Sequence, residues 1–136
     1  MTAFGGLNQT VIAPRRTLVV VEDDDHVRRA LTRWLDSRGY GVRAFDSAEA
    51  WLADICPADG AIIDLNLPGI SGRELDERLK REGRAIPTVF ITALDEPGLA
   101  TSRVILQKPL DAQTLLDAIE HVLAASDGGR VAGDPS

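Results

Sequence analysis

Cysteine and basic residues are scarce in this chain, and each scarcity excludes a class of protein. The single cysteine, Cys56, excludes an internal disulfide and is typical of a protein in a reducing compartment. The 15 lysines and arginines are outnumbered by 21 acidic residues, so the formal net charge is -6. Because nucleic-acid backbones require clustered basic residues, this balance predicts that the main partner is not a nucleic acid.

Long apolar runs are missing as well. No run approaches the roughly 20 residues that a membrane-spanning helix needs, so we expect no membrane partner. In the N-terminal segment 1–16 the arginines follow the apolar residues, whereas a signal peptide has its basic residues first. Together with the lone cysteine, these features predict a cytoplasmic protein.

The chain has the size and composition of one domain. Its 136 residues, 44% of them hydrophobic, can bury a core but leave no room for a second folded module. Neither end has a sustained hydrophobic period, and both contain a Gly-Gly pair. We therefore predict a flexible arm at 1–16, a folded domain at 17–125 and a flexible tail at 126–136.

Between the two ends, strand-like and helix-like segments alternate about five times, which is typical of an α/β fold with a doubly wound parallel sheet. The predicted strands are Leu18–Val21, Tyr40–Phe45, Ala61–Leu65, Thr88–Thr92 and Val104–Gln107. Helical spacing of apolar residues fills most of the intervals between them.

Three helix starts can be predicted from capping residues. Asp46 with Glu49, and Ser71 with Glu74, have the spacing of a capping box, in which each side chain accepts a backbone N–H of the other residue. Asp111 is a candidate N-cap for the last helix.

Five polar residues stand at the ends of the apolar strands. They are Glu22, Asp23, Asp64, Thr92 and Lys108. Because parallel strands present their carboxyl ends at one edge of the sheet, where such folds bind ligands, we expect all five to lie close together. Three carboxylates in one place repel each other by about 4 kcal/mol per pair at an effective dielectric near 20, which favours a divalent cation. Each residue alone is ordinary, since an acidic run is usually a solvated surface, and only the set indicates a site.

Magnesium is the cation that this set predicts, because it takes hard oxygen ligands and is usually held by one or two carboxylates together with phosphate oxygens. Asp23 and Asp64 would be direct ligands, and Glu22 would be a ligand through water. The backbone carbonyl of Asn66 would add a further oxygen.

Asp64 is also a candidate nucleophile. A carboxylate can take up a phosphoryl group, and Asp64 ends the central strand with acids nearby to hold the metal. Lys108 would pair with the phosphoryl oxygens as a point charge. Pro109, in the cis or trans form, would turn the chain after Lys108 and aim the lysine inward.

In order and spacing, these segments resemble the receiver domains of two-component response regulators. The resemblance covers residues 17–125. The matching segments are Val20–Asp23, Ile63–Gly69 with Ser71–Gly72, Ile91–Ala93 and Gln107–Leu110. Alignment with the family makes Glu22 and Asp23 the paired acids and leaves Asp24 and Asp25 at a helix start, where negative charge suits the helix dipole.

The resemblance implies a flavodoxin-like five-stranded sheet of order 2-1-3-4-5. It implies that Asp64 accepts a phosphoryl group from a sensor histidine kinase or a phosphotransfer protein, with Mg²⁺ held by Glu22, Asp23 and the carbonyl of Asn66. Thr92 and Lys108 would engage the phosphoryl group and pass on the switch.

Two departures from the family concern how a signal leaves the site. Family members usually carry a full helix between the fourth and fifth strands, whereas only ten residues separate Thr92 from Arg103 here, Pro97 and Gly98 among them. We predict that this helix is shortened or replaced by a loop. Three positions before the lysine, where the family commonly has a rotating Tyr or Phe, this chain has Ile105.

Three functions remain open from the sequence. The first is a phosphoaccepting receiver, not an enzyme, that binds a downstream protein target or passes the phosphoryl group on. The second is a degenerate receiver that binds partners without phosphorylation. The third is a Mg²⁺-dependent phosphohydrolase, which is disfavoured because such enzymes generally have an acid where Asn66 stands.

Overall fold

A computed structural model of the chain describes residues 15–54, 56–93 and 104–133. The strands are β1 Thr17–Val21, β2 Gly41–Phe45, β3 Gly60–Asp64, β4 Thr88–Thr92 and β5 Val104–Gln107. The helices are α1 Asp25–Ser37, α2 Ala48–Leu52, α3 Gly72–Arg81 and α4 Ala112–Gly133. The alternation expected from the sequence is therefore present.

The five strands form one parallel sheet in the order β2-β1-β3-β4-β5, which confirms the predicted topology. In the register, Val20 of β1 lies between Ala44 of β2 and Ile62 of β3. The order reverses between β1 and β3, and the crevice at such a reversal is where open α/β sheets bind ligands.

Both faces of the sheet are buried, which explains why its strands read as nearly continuous apolar runs. Along β1, Leu18 and Val20 face one core and Val19 and Val21 face the other, since successive side chains of a strand alternate. Helices α1 and α4 cover the first face, and α2 and α3 cover the second. A fully buried side chain such as Leu35, at 0% exposure, contributes about 1.5–3 kcal/mol through burial.

Side-chain caps begin the helices. Oδ1 of Asp24 accepts hydrogen bonds from the N–H groups of His26 and Val27 at the start of α1, which agrees with its predicted place at a helix start. Ser71 accepts from the N–H of Glu74 at 3.1 Å, and Asp111 accepts from that of Thr114 at 2.9 Å, which agrees with the caps predicted for α3 and α4.

The predicted capping box of Asp46 with Glu49 is wrong. The N-cap of α2 is Ser47, whose hydroxyl accepts from the N–H of Ala50 at 3.1 Å. Asp46 lies one residue before the cap, because the helix begins one residue later than the box requires. Glu49 accepts from the N–H of Ile70 instead, at 3.2 Å.

The two ends differ from their predicted boundaries. Arg15, assigned to the flexible arm, donates to the carbonyl of Gly39 at 3.1 Å and pairs with Asp36 at 3.0 Å. Residues 126–133, assigned to a flexible tail, continue α4 as far as Gly133. Glycines lower helix propensity by about 1 kcal/mol each but keep their N–H groups, so they need not end a helix. The first proline after Ala112 is Pro135.

Other predictions about the chain's segments lie outside the described residues. They concern the remainder of the N-terminal arm at 1–14, the shortened crossover at 94–103 and the last residues of the tail at 134–136. Within the described ranges, none of the helices combines the length and the hydropathy that crossing a membrane would require.

Replacing Ser71 with alanine should lower the free energy of unfolding by about 1 kcal/mol, because the N–H of Glu74 loses its acceptor. Ser71→Asp keeps an oxygen at the cap and should stay close to the wild type. Urea denaturation followed by circular dichroism measures both variants. Equal losses in the two would show that Ser71 does not act as a cap.

Candidate functional site

The strand ends meet at one edge of the sheet, where backbone hydrogen bonds continue beyond the strands. The N–H of Lys108, one residue past β5, donates to the carbonyl of Thr92 at 2.8 Å. The N–H of Glu22, one residue past β1, donates to the carbonyl of Phe45 at 3.1 Å. These bonds fix the backbone of residues that the sequence predicted to form the site.

Lys108 joins two carboxylates at this edge. Its ammonium nitrogen, Nζ, lies 2.8 Å from Oε1 of Glu22 and 3.2 Å from Oδ2 of Asp64. Glu22 is 0% exposed and Asp64 is 3% exposed, so both acids are removed from water. Since a buried carboxylate without a partner is costly, the lysine supplies the positive charge that both require.

The pKa values of Glu22 and Lys108 show how burial and charge oppose each other. Burial raises the pKa of Glu22 and the nearby charge of Asp64 raises it further, which outweighs the opposing effects of Lys108 and of the Asp24 N–H. For Lys108, burial lowers the pKa, but the hydrogen bonds and charges of Glu22 and Asp64 outweigh it and leave the pKa raised. The lysine therefore stays protonated at neutral pH.

Three acidic side chains are close enough to share one cation. One carboxylate oxygen from each of Glu22, Asp23 and Asp64 lies within 4.8 Å of the others. Asp23 is exposed, while the other two are buried. An all-oxygen set with one solvent-facing acid suits a hard divalent cation that keeps part of its water.

Asn66 contacts both Asp64 and Thr92. Its backbone N–H donates to Oδ1 of Asp64 at 2.9 Å, and its side-chain oxygen accepts from the hydroxyl of Thr92 at 2.8 Å. The sequence suggested only a role for the Asn66 backbone carbonyl. No signal in the sequence shows the side-chain contact, because it depends on how the loop after β3 folds back.

That loop, residues 65–71, is fixed at both ends. Gly72 donates its N–H to the carbonyl of Leu65 at 3.2 Å, and a Cβ at position 72 would lie 2.8 Å from the Cα of Leu65. It would lie closer still to the carbonyl oxygen of Asp64, so only glycine fits. The carboxylate of Glu49 holds the N–H of Ile70 from the neighbouring helix.

The acids after the predicted pair serve the start of α1. Asp24 is its N-cap, and Asp25 pairs with Arg28 one turn later. Arg28 also donates to the backbone carbonyl of Glu22 at 2.9 Å. The first helix is therefore tied to the edge of the site by a contact that the sequence did not reveal.

The chain around Lys108 has two notable features. The Lys108–Pro109 peptide bond is cis. Ile105, at the position where the family commonly has an aromatic residue, is half-buried against the core cluster that contains Phe90. An aliphatic side chain thus fills this position in the described structure.

A model of the response regulator receiver domain matches residues 18–120, well over half of the chain. The chain belongs to this family. The sequence-based assignment to it is therefore confirmed.

Two curated proteins are similar to this receiver domain. The transcriptional regulatory protein TdiR of Thauera aromatica is 35% identical over 116 residues, which are 79% of this chain and 51% of TdiR. Nodulation protein W of Bradyrhizobium diazoefficiens is 34% identical over 129 residues, which are 89% of this chain and 56% of that protein. The chain thus spans about half the length of these curated relatives.

Solved structures have the same fold. A structure of the response regulator StyR has a TM-score of 0.78 and 35% identity, covering 90% of this chain and 66% of that one. The signal receiver domain of a putative Luxo repressor protein from Vibrio parahaemolyticus also has a TM-score of 0.78, over 88% of this chain and 98% of that one. Its identity is 18%, so it supports the fold alone.

Lys108→Ala should lower the free energy of unfolding at neutral pH by about 3 kcal/mol, because two buried carboxylates lose their counter-charge. Without the lysine, the pKa of Glu22 rises further, so the folded variant takes up a proton at a higher pH than the unfolded chain does. Since the state that binds more protons gains stability as pH falls, the deficit should shrink as the pH is lowered from neutral towards the usual range of a glutamate.

Urea denaturation at a neutral and at a mildly acidic pH measures this change. Lys80→Ala is the matched control, because the Lys80 side chain is 55% exposed in its pair with Asp76 and should contribute little at either pH. A deficit for Lys108→Ala that stays constant across the range would contradict the assigned role of the lysine.

Proposed function

We propose that this receiver domain accepts a phosphoryl group on Asp64 from a phosphohistidine of a sensor histidine kinase or a phosphotransfer protein, within a two-component phosphorelay. The observation that carries the proposal is the setting of Asp64. Its carboxylate lies at the carboxyl edge of the sheet, 3.2 Å from the ammonium group of Lys108 and within reach of two other acids. Membership of the receiver family supports the same role.

In the proposed transfer, a carboxylate oxygen of Asp64 attacks the phosphorus atom. The new O–P bond forms as the P–N bond to the donor histidine breaks, and the bonding electron pair returns to the imidazole nitrogen. Lys108 is held between Glu22 and Asp64 before the reaction, so its charge can stabilise the phosphoryl oxygens with little reorganisation. Thr92 would donate its hydroxyl to one of those oxygens.

The acidic cluster fits Mg²⁺ by the chemistry of its donors. Asp23 and Asp64 would hold the ion directly, Glu22 through water, and the backbone carbonyl of Asn66 would complete the protein's share. When bound, magnesium supplies positive charge that offsets the repulsion between these carboxylates and an incoming phosphoryl group.

The donor would approach over an apolar groove beside the site. The groove has a volume of about 550 Å³ and runs between α1 and the chain that follows β5. Val27 and Trp34 line one side, Pro109 and Leu110 line the other, and Lys108 also borders it. Lys108 thus borders both the groove and the acidic site, which suits a docked protein that presents a phosphohistidine.

The product is a changed surface rather than a released compound. We propose that one phosphoryl group per molecule alters the local charge and shifts a two-state surface that a downstream protein recognises, or is passed to another protein. The domain would then act as a signalling phosphoacceptor, with at most slow self-dephosphorylation, and not as an enzyme. We place it in the cytoplasm, where ATP-dependent kinases make phosphohistidine.

Asp64→Asn should abolish labelling by a small phosphodonor in the presence of magnesium, because an amide oxygen is a far weaker nucleophile than a carboxylate. Intact-protein mass spectrometry detects the added phosphoryl group. Asp46→Asn, a change at an exposed acid before α2, should be labelled like the wild type. Label on Asp64→Asn would refute the assigned acceptor, and a wild type without label that still binds its partner would favour the phosphorylation-independent adaptor.

Magnesium at millimolar concentration should raise the unfolding temperature of the wild type. A ligand that binds only the folded state stabilises it by about 2.7 kcal/mol at 100 times its Kd. Asp23→Asn removes a proposed direct ligand and should lose most of this gain. Asp25→Asn, a change at an acid that pairs with Arg28 instead, should keep it. Differential scanning fluorimetry with and without magnesium measures the rise in unfolding temperature. If Asp23→Asn shows the same rise as the wild type, Asp23 is not a ligand.

A further inference from the structure

The hydroxyl of Thr92 is already engaged before any phosphoryl group is present. It donates to the side-chain oxygen of Asn66 at 2.8 Å, and Thr92 itself is only 4% exposed. Its backbone is fixed, since its carbonyl accepts the N–H of Lys108. A threonine hydroxyl carries one proton, so it cannot be donated to Asn66 and to a phosphoryl oxygen at the same time.

We propose that the carboxamide of Asn66 is a positioning residue that holds the Thr92 hydroxyl in the unphosphorylated state, and that a phosphoryl group on Asp64 competes for that hydroxyl's single proton. This inference rests on the proposed function and concerns the regulation of the same site. It requires no change in the backbone of β4, because rotation about the Thr92 side chain suffices.

Asn66 contacts both Asp64 and Thr92, the two residues that the proposal connects. The N–H of Asn66 holds Oδ1 of Asp64 at 2.9 Å, while the side chain of Asn66 holds Thr92. Chemistry at Asp64 therefore acts on both hydrogen bonds of Asn66 at once. A phosphoryl oxygen is charged and forms a stronger hydrogen bond than an amide oxygen does, so the hydroxyl donates to the phosphoryl oxygen once that group is present.

The release of Asn66 also offers a route by which the signal can reach the protein surface. Asn66 is exposed and belongs to the loop 65–71, whereas Ile105 on β5 is half-buried in the core. When Thr92 turns to the phosphoryl group, the freed carboxamide lies on the exposed loop after β3. The signal then leaves through this loop, a route that needs no aromatic residue at position 105.

The test is a double-mutant cycle on an equilibrium, with beryllofluoride and magnesium as the phosphoryl analogue and isothermal titration calorimetry as the readout. The hydrogen bond to Asn66 weakens binding because it must break first, so Asn66→Ala should tighten binding about fivefold when Thr92 is present. In the Thr92→Val background the same change should have no such effect, because no hydroxyl is left to release.

Any effect of Asn66→Ala through the metal or the loop is shared by both backgrounds and cancels in the cycle. Thr92→Ser restores a hydroxyl and should restore the fivefold gain. If Asn66→Ala proves unstable, Asn66→Leu removes the acceptor while keeping the side chain's size. An equal effect in the wild-type and Thr92→Val backgrounds would overturn this inference alone, whereas a wild type that does not bind beryllofluoride would overturn the proposed function with it.

Discussion

The ammonium group of Lys108 lies between two buried carboxylates that would otherwise repel each other. Glu22 follows β1 and Asp64 ends β3, so the two acids belong to neighbouring strands, and the lysine reaches them from beyond β5 at the other side of β4. Burial raises the pKa of Glu22, and the hydrogen bond and charge of Lys108 oppose that rise. The lysine places positive charge beside both buried carboxylates. The properties proposed for this edge, cation binding and nucleophilic attack, both require carboxylates that are charged.

The rest of the fold positions these groups at one edge of the sheet. Parallel strands end at a common edge, and alternation of side chains along each strand sends apolar residues to both faces, where helices cover them. The polar residues lie at the ends of the strands, just beyond the part of the sheet that the helices cover. Past the last strand residues, backbone hydrogen bonds at Glu22 and Lys108 keep the ends in register. Thus the core sets the positions of the acids and the lysine, and the side chains set the chemistry.

Sequence reasoning predicted the strands, their order and the gathering of the strand-end residues, because these depend on local apolar runs and on rules of chain connection. It placed the cap of α2 one residue early, since Asp46 and Ser47 are both good caps and only the path of the chain decides between them. It assigned residues 126–136 to a flexible tail, whereas α4 continues as far as Gly133. The contact between Thr92 and Asn66 could not be predicted, because it joins two side chains 26 positions apart through the shape of a loop.

The close approach of Gly72 to the end of β3 has a mechanical consequence. The two ends of the loop 65–71 are held together by the hydrogen bond from the N–H of Gly72 to the carbonyl of Leu65 and by backbone packing too tight for a Cβ. These contacts hold the start of α3 against the end of β3. A change in the contacts of Asn66 would therefore act on the middle of the loop, which Glu49 also holds through the N–H of Ile70, so a chemical event at one carboxylate would alter the shape of a short loop whose two ends stay in place.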